Sequence, residues 1–238
     1  MNGGIAMVGF DADDTLWHSE GYYQAAQAEF ERVVGRYIHL EDTRVHDRLL
    51  EVERANIRLF GYGAKGMTLS MIETAIAVTQ GRIEAGDIHR LVAIGKEVLG
   101  HPVELLPGIR AAVEEVSRRH RVVLITKGDL FHQERKVAES GLSDLFQRIE
   151  IVSEKDEGSY ARLMREFGVA PNAFAMVGNS VKSDIAPVLA LGGWGVHIPY
   201  HVTFALEVAA LDAAHPRLAV VGNASEIPDA IARFDRRG

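Results

Sequence analysis

The chain has 238 residues, 47% of them apolar, with no cysteine and a formal charge of −7. That apolar content can bury a sizeable core, and the missing cysteines exclude disulfides, thiolate nucleophiles and thiolate-bound metals. The negative balance argues against a nucleic-acid or anionic-membrane surface, and the N-terminus has no basic segment followed by a long apolar run, so a cytoplasmic protein without a signal peptide is expected.

In chain order, the apolar run from Ile5 to Phe10 reads as a first strand and ends in "DADD", Asp11 to Asp14. Residues 18–100 then read as helical throughout, with periodic apolar positions in "YYQAAQAEFERVVGRYI", "VHDRLLEVERANIRLF", "LSMIETAIAVTQ" and "IHRLVAIGKEVL". From about residue 101 the pattern alternates. Strands are predicted at 121–126, 148–152, 173–178, 194–198 and 217–221, with helices at 108–119, 130–140, 159–167 and 182–191. Alternation of this kind predicts an α/β fold with a doubly wound, Rossmann-like parallel sheet. The expected domains are a core of residues 1–17 and 101–238 and an all-helical cap of residues 18–100, with "GHPVELLPG" at the far boundary. Residues 185–206 carry no Asp, Glu, Lys or Arg, but Pro187 and Pro199 break them into helix, turn and strand, so they read as core and not as a membrane span.

Open parallel sheets bind ligands beyond the carboxyl ends of their strands. The residues at those ends are Asp11, Asp13 and Asp14; Thr126 and Lys127; Ser153, Glu154 and Lys155; and Gly178, Asn179 and Ser180, with Asp184 one turn later. Acids, a hydroxyl and lysines therefore converge on one rim. In extended backbone, side chains two apart share a face, so Asp11 and Asp13 are expected to pair while Asp14 points elsewhere as a turn former.

These motifs resemble those of the haloacid dehalogenase superfamily, in its phosphatase branch. "DADDT" is similar to its first motif, DxDxT; the Thr of "LITKG" to its second; the Lys of "SEKD" to its third; and "GNSVKSD" to its acidic fourth. The resemblance implies a helical cap over a Rossmann-like core and Mg²⁺-dependent phosphotransfer through an aspartyl phosphate. Carried onto this sequence, it makes Asp11 the nucleophile and Asp13 the general acid and then base, with Thr126 and Lys155 on the phosphate; Lys127, at the same strand end as Thr126, is a further candidate substrate contact from its position alone. Asp11, the Asp13 backbone carbonyl, Asp184 and Asn179 would be the oxygen ligands of Mg²⁺. The fourth motif usually begins Gly-Asp and here reads Gly178-Asn179, one negative charge fewer. Dehalogenases of the superfamily lack an acid at the position of Asp13. A halide leaves without a proton and an alkoxide does not, so Asp13 favours phosphate esters.

In the cap, Lys65 of the Gly-rich loop "FGYGAKGM" is a candidate substrate contact; Trp17 and His18, just past the acids, are candidates for lining the entrance, though Trp17 is expected instead to pack under the cap. That loop follows a helix, so it is no phosphate-cradling fingerprint. The partner expected is a small phosphorylated metabolite, with no nucleic acid and no membrane; oligomeric state has no signal in the sequence. A phosphomutase would use the same Asp11 and return the phosphoryl group to a bound sugar. A receiver-type signalling switch would need its acceptor Asp after a middle strand, where this chain has Thr126, Lys127 and Gly128 before Asp129, and it has no use for a cap. No HExxH or GxSxG occurs.

Overall fold

The computed structural model describes residues 4–40 and 44–237, so the ends of the expected core at 1–3 and 238, and 41–43 of the expected cap, lie outside the described residues. Two compact units emerge, one formed by Met1–Glu20, Val103–Lys127 and Gln133–Gly238, the other by Gly21–Pro102 and Gly128–His132.

The first unit is built on a six-stranded sheet of order β3-β2-β1-β4-β5-β6, every neighbouring pair parallel. Its strands are β1 (Met7–Phe10), β2 (Arg121–Lys127), β3 (Arg148–Val152), β4 (Phe174–Gly178), β5 (Trp194–His197) and β6 (Leu218–Val220). The central strands are apolar on both faces because both are covered. Val8, Phe10, Val122, Leu124, Ala175 and Val177 join one cluster, while Met7, Val123, Ile125, Phe174 and Met176 join a second on the opposite face. This period of two within an unbroken apolar run is the mark of a strand buried on both sides. Each fully buried aliphatic side chain contributes on the order of 1.5–3 kcal/mol.

Among the described residues, four helices pack the helical unit: α1 (Glu20–Val34), α2 (Val45–Phe60), α3 (Ala64–Val78) and α4 (Ala85–Gly100). Phe30, Val33, Leu49, Met71, Leu91 and Ile94 fill its separate core. The α3–α4 approach is close enough that a Cβ on Gly95 would overlap the side chain of Thr68. Residues Gly128–His132 belong to this unit, although the periodicity of the sequence ascribes them to the core. The reason is local: Asp129 accepts an ion pair from Lys65 at 2.9 Å, and the same ammonium lies 5.4 Å from the centre of the Phe131 ring.

The remaining helices are α5 (Ile109–Ser117), α6 (Leu130–Ser140), α7 (Glu157–Phe167), α8 (Ala186–Ala190, preceded by a π turn at Val181–Ile185) and α9 (Ile227–Asp235). Helix α9 is absent from the sequence-based expectation, yet "IPDAIARFD" places Pro228 in its first turn and buries Ile227, Ala230, Ile231 and Phe234 at helical spacing. The uncharged stretch after Ile185 is the end of the π turn, α8, a turn and β5, and among the described residues no helix is long and apolar enough to cross a membrane.

Candidate active site

The chain does not stay extended past β1. Asp11 donates its amide to the Val177 carbonyl at 2.9 Å, continuing the ladder by one residue. It then curls: Leu16 N–H reaches the Ala12 carbonyl at 2.7 Å, Asp14 N–H reaches the Trp17 carbonyl at 2.8 Å, and Asp14 itself adopts a left-handed φ of 61°. Asp tolerates that conformation better than most residues. This turn, and not the strand alternation expected from the sequence, sets where the acids point. It brings Thr15 to Asp11 and Trp17 to Asp13, each four residues apart.

Asp11 lies at the centre of a buried ion cluster. Lys155, beyond the end of β3, places its ammonium against one Asp11 oxygen and 2.8 Å from Asp184 Oδ1. Thr15 Oγ1 donates to the other Asp11 oxygen at 2.9 Å. Asp184, on the π turn after β4, receives the Ser180 amide on Oδ2 at 2.9 Å. Gly178 is required here, because a Cβ at that position would overlap the Asp184 carboxyl. Burial first, and then the neighbouring Asp184 charge, push the Asp11 carboxyl above the ordinary carboxylate range against the pull of Lys155. Burial would lower Lys155, but the two carboxylates outweigh it and its net shift is upward. Two acids share one ammonium.

Asp13 has different company. Trp17 Nε1 donates to Oδ1 at 2.6 Å, Lys136 Nζ reaches the same oxygen at 2.5 Å, and Gln133 Nε2 donates to Oδ2 at 2.9 Å. Burial would raise this carboxyl, yet Lys136, Gln133 and Trp17 together hold it below the usual range. Asp13 nevertheless keeps 29% of its side-chain surface open to solvent, whereas Lys136 keeps 8%. Asp14 is buried and turns away, accepting the amides of Ser19 at 2.8 Å and Glu20 at 3.1 Å, and burial raises its carboxyl to about 7. It therefore caps the start of α1.

Of the other expected site residues, Thr126 is the buried penultimate residue of β2, its hydroxyl making a long 3.5 Å approach to the Lys127 carbonyl. Lys127 meets Glu207 at 2.7 Å, Ser183 Oγ at 2.9 Å and Glu154 at 3.2 Å. Asn179 lies beside Thr15, its Oδ1 3.2 Å from the Thr15 hydroxyl oxygen and its backbone N–H donating to that oxygen at 3.0 Å, while His197 Nε2 bonds the Asn179 backbone carbonyl at 3.0 Å. Lys65 lies in the helical unit, paired with Asp129. His18 bonds the Tyr200 hydroxyl at 2.6 Å, and Trp17 is fully buried.

The sequence reading missed Gln133, Lys136 and Glu207. The first two lie three apart on one helix, a signal that marks a shared face but not its target. Glu207 comes from the irregular segment after β5 and accepts from Ser180 Oγ at 2.7 Å, bringing a carboxylate to the very motif in which Asn179 removes one.

Among the described residues no cluster of three or more His, Cys, Asp or Glu side chains suited to a metal is formed. The donors that are present, carboxylates of Asp11 and Asp184 beside the amide of Asn179, are all hard oxygens, and the acids outnumber the one ammonium between them. In kind and in charge this set fits a hard divalent cation.

The sequence matches the haloacid dehalogenase-like hydrolases over residues 5–192. A search of curated proteins gave no match. The structure is similar to a haloacid dehalogenase-like family hydrolase from Xanthomonas campestris, with 52% identity, a TM-score of 0.89 and coverage of 99% of this chain and 94% of that one. It also resembles L-2-haloacid dehalogenase from Xanthobacter autotrophicus (16% identity, TM-score 0.64, 96% and 98% covered) and a Thermotoga maritima protein assigned as a β-phosphoglucomutase (18%, 0.63, 96% and 99%). At such identities the last two show a shared fold and no more.

Proposed function

The chain belongs to the haloacid dehalogenase-like hydrolases, and from its site we propose that it is a phosphatase that hydrolyses a small phosphorylated metabolite through an aspartyl phosphate on Asp11. The observation that carries this reading is Asp13: a carboxyl close enough to Asp11 for their charges to interact, partly open to solvent, and held by three donors. A reaction whose leaving group needs no proton has no use for such a group.

The steps follow from these residues. Asp11 attacks phosphorus through a carboxylate oxygen as the bond from phosphorus to the ester oxygen breaks, and Asp13, which Lys136 holds ionised at rest and which must therefore take up a proton as substrate binds, gives that oxygen the proton. Water then attacks phosphorus, Asp13 takes the proton back, and cleavage of the acyl-phosphate bond restores Asp11. Lys155 and the Thr126 hydroxyl orient the phosphoryl oxygens, while Lys127 would have to part from Glu207 and Glu154 to join them. Asp11, Asp184, Asn179 and the Asp13 backbone carbonyl would hold Mg²⁺, which when bound neutralises phosphate charge. The helical unit acts as the cap that selects substrate and excludes water.

The test is to offer phosphate monoesters, a sugar phosphate and a 2-halo acid, each with Mg²⁺ and with chelator, and to measure inorganic phosphate, isomerised product and halide. Metal-dependent phosphate release is expected. Halide release without phosphate release would replace this reading by dehalogenation, and isomerisation without phosphate release by a mutase.

A further inference from the structure

Building on the phosphatase reading, we propose that Lys136 and Gln133 of α6 are positioning residues that lock the carboxyl of Asp13 into the one orientation its proton transfers require.

The argument begins with what the two side chains cost. Lys136 and Gln133 are 6% and 3% exposed. A buried ammonium is costly unless paired, and removing its partner typically costs several kcal/mol, so this lysine is tied to the carboxylate it meets. That carboxylate is Asp13, at 2.5 Å. The Lys136 ammonium also lies 5.9 Å from the centre of the Trp17 ring, whose Nε1 donates to the same Asp13 oxygen. Gln133 is fixed from a third direction, because its Nε2 donates to the Lys127 carbonyl at 2.8 Å as well as to Asp13 Oδ2 at 2.9 Å.

Both oxygens of Asp13 are therefore held, by Trp17 of the turn after β1 and by Lys136 and Gln133 of α6, and Gln133 is anchored in turn to the end of β2. A carboxyl with 29% of its surface open to solvent would otherwise rotate about its own side-chain bonds. Proton transfer needs the donor oxygen within hydrogen-bond reach of the ester oxygen, so orientation sets how often the site is competent. The ion pairs of Lys155 with Asp11 and Asp184 do not serve this end, since Lys155 faces the nucleophile and not the proton carrier.

The experiment is a double-mutant cycle on steady-state phosphate release from an alkyl phosphate, using Lys136→Met, Lys136→Arg, Asp13→Asn and Lys136→Met combined with Asp13→Asn. Lys136→Met should lower kcat by roughly 10 to 100-fold with KM within about threefold, and Lys136→Arg should recover much of the loss, because a guanidinium can still pair with the carboxylate. In the Asp13→Asn background the same Lys136→Met change should cost less than about threefold, since a residue acting through Asp13 has nothing left to act on. Should Lys136→Met fail to fold, Gln133→Met takes its place in the same cycle. An unchanged kcat, or an equal loss with and without the Asp13 carboxyl, overturns the inference while leaving the phosphatase reading intact. Absence of phosphate release by the unaltered protein removes both.

Discussion

Asp11 and Asp13 are the same residue type two positions apart, and the two sides of the site treat them in opposite ways. On the Asp11 side, two carboxylates share one buried lysine while a threonine hydroxyl donates to Asp11, and the Asp11 carboxyl is pushed up because it is buried beside another acid. On the Asp13 side, one carboxylate has an ammonium of its own and two neutral donors, and is held down. The first arrangement is short of positive charge, as the proposed binding of a cation there would require. The second is complete without a ligand, as suits a group whose work is to point correctly. Chemical identity thus says little about role until the partners are known.

The contrast can be broken most severely at Asp11. Asp11→Asn should abolish turnover, by roughly 10⁴-fold or more, and leave no phosphoenzyme in intact-mass measurements after rapid quenching. Asp13→Asn keeps the nucleophile and should slow turnover by about 10² to 10⁴-fold, the usual worth of general acid–base catalysis. The signature should differ as well: with an activated aryl phosphate the phosphoenzyme accumulates, because the first step hardly needs an acid while water still lacks its base. Label trapped on any residue other than Asp11 would reverse the two assignments.

Smaller effects sharpen the comparison between the core and the helical unit. Lys65→Ala removes an exposed pair with Asp129, worth on the order of 1 kcal/mol at most. It should change relative kcat/KM among substrates by up to roughly tenfold without changing the reaction; loss of all activity would place Lys65 in the chemistry. Asp14→Asn tests the third acid, which caps α1 and should leave kcat within about threefold. Its effect belongs to stability. The folded-state pKa of about 7 lies above the ordinary 3.8, so the folded protein holds a proton that the unfolded chain releases. Stability from this group is complete below about pH 4 and is lost as pH rises to 7. Asn mimics the protonated acid, so the Tm of Asp14→Asn should gain about 2–4 °C on the unaltered protein between pH 4 and pH 8. Parallel Tm curves across that range would show that Asp14 does not titrate there.

What the sequence by itself determined is whatever short-range periodicity and local chemistry encode. The strands of the sheet were legible because residues buried on both faces make unbroken apolar runs, as "VVLIT" and "FAMVG" do. The residues at the strand ends were legible because a parallel sheet must present them together, and Asp11, Lys155 and Asp184 do meet. Even α9 was within reach, since its apolar spacing is plain once looked for. Tertiary structure alone decided the rest. Two of the three partners of Asp13 stand 120 and 123 residues away, and Glu207 reaches Lys127 across 80. No local pattern marks such pairs, because a buried charge is compensated by whatever the fold places beside it. The turn that separates Asp11, Asp13 and Asp14 is decided at the same level: the left-handed residue and the Trp17 contact exist only because the chain must leave the sheet at that point, where extended backbone gives way to a tight curl.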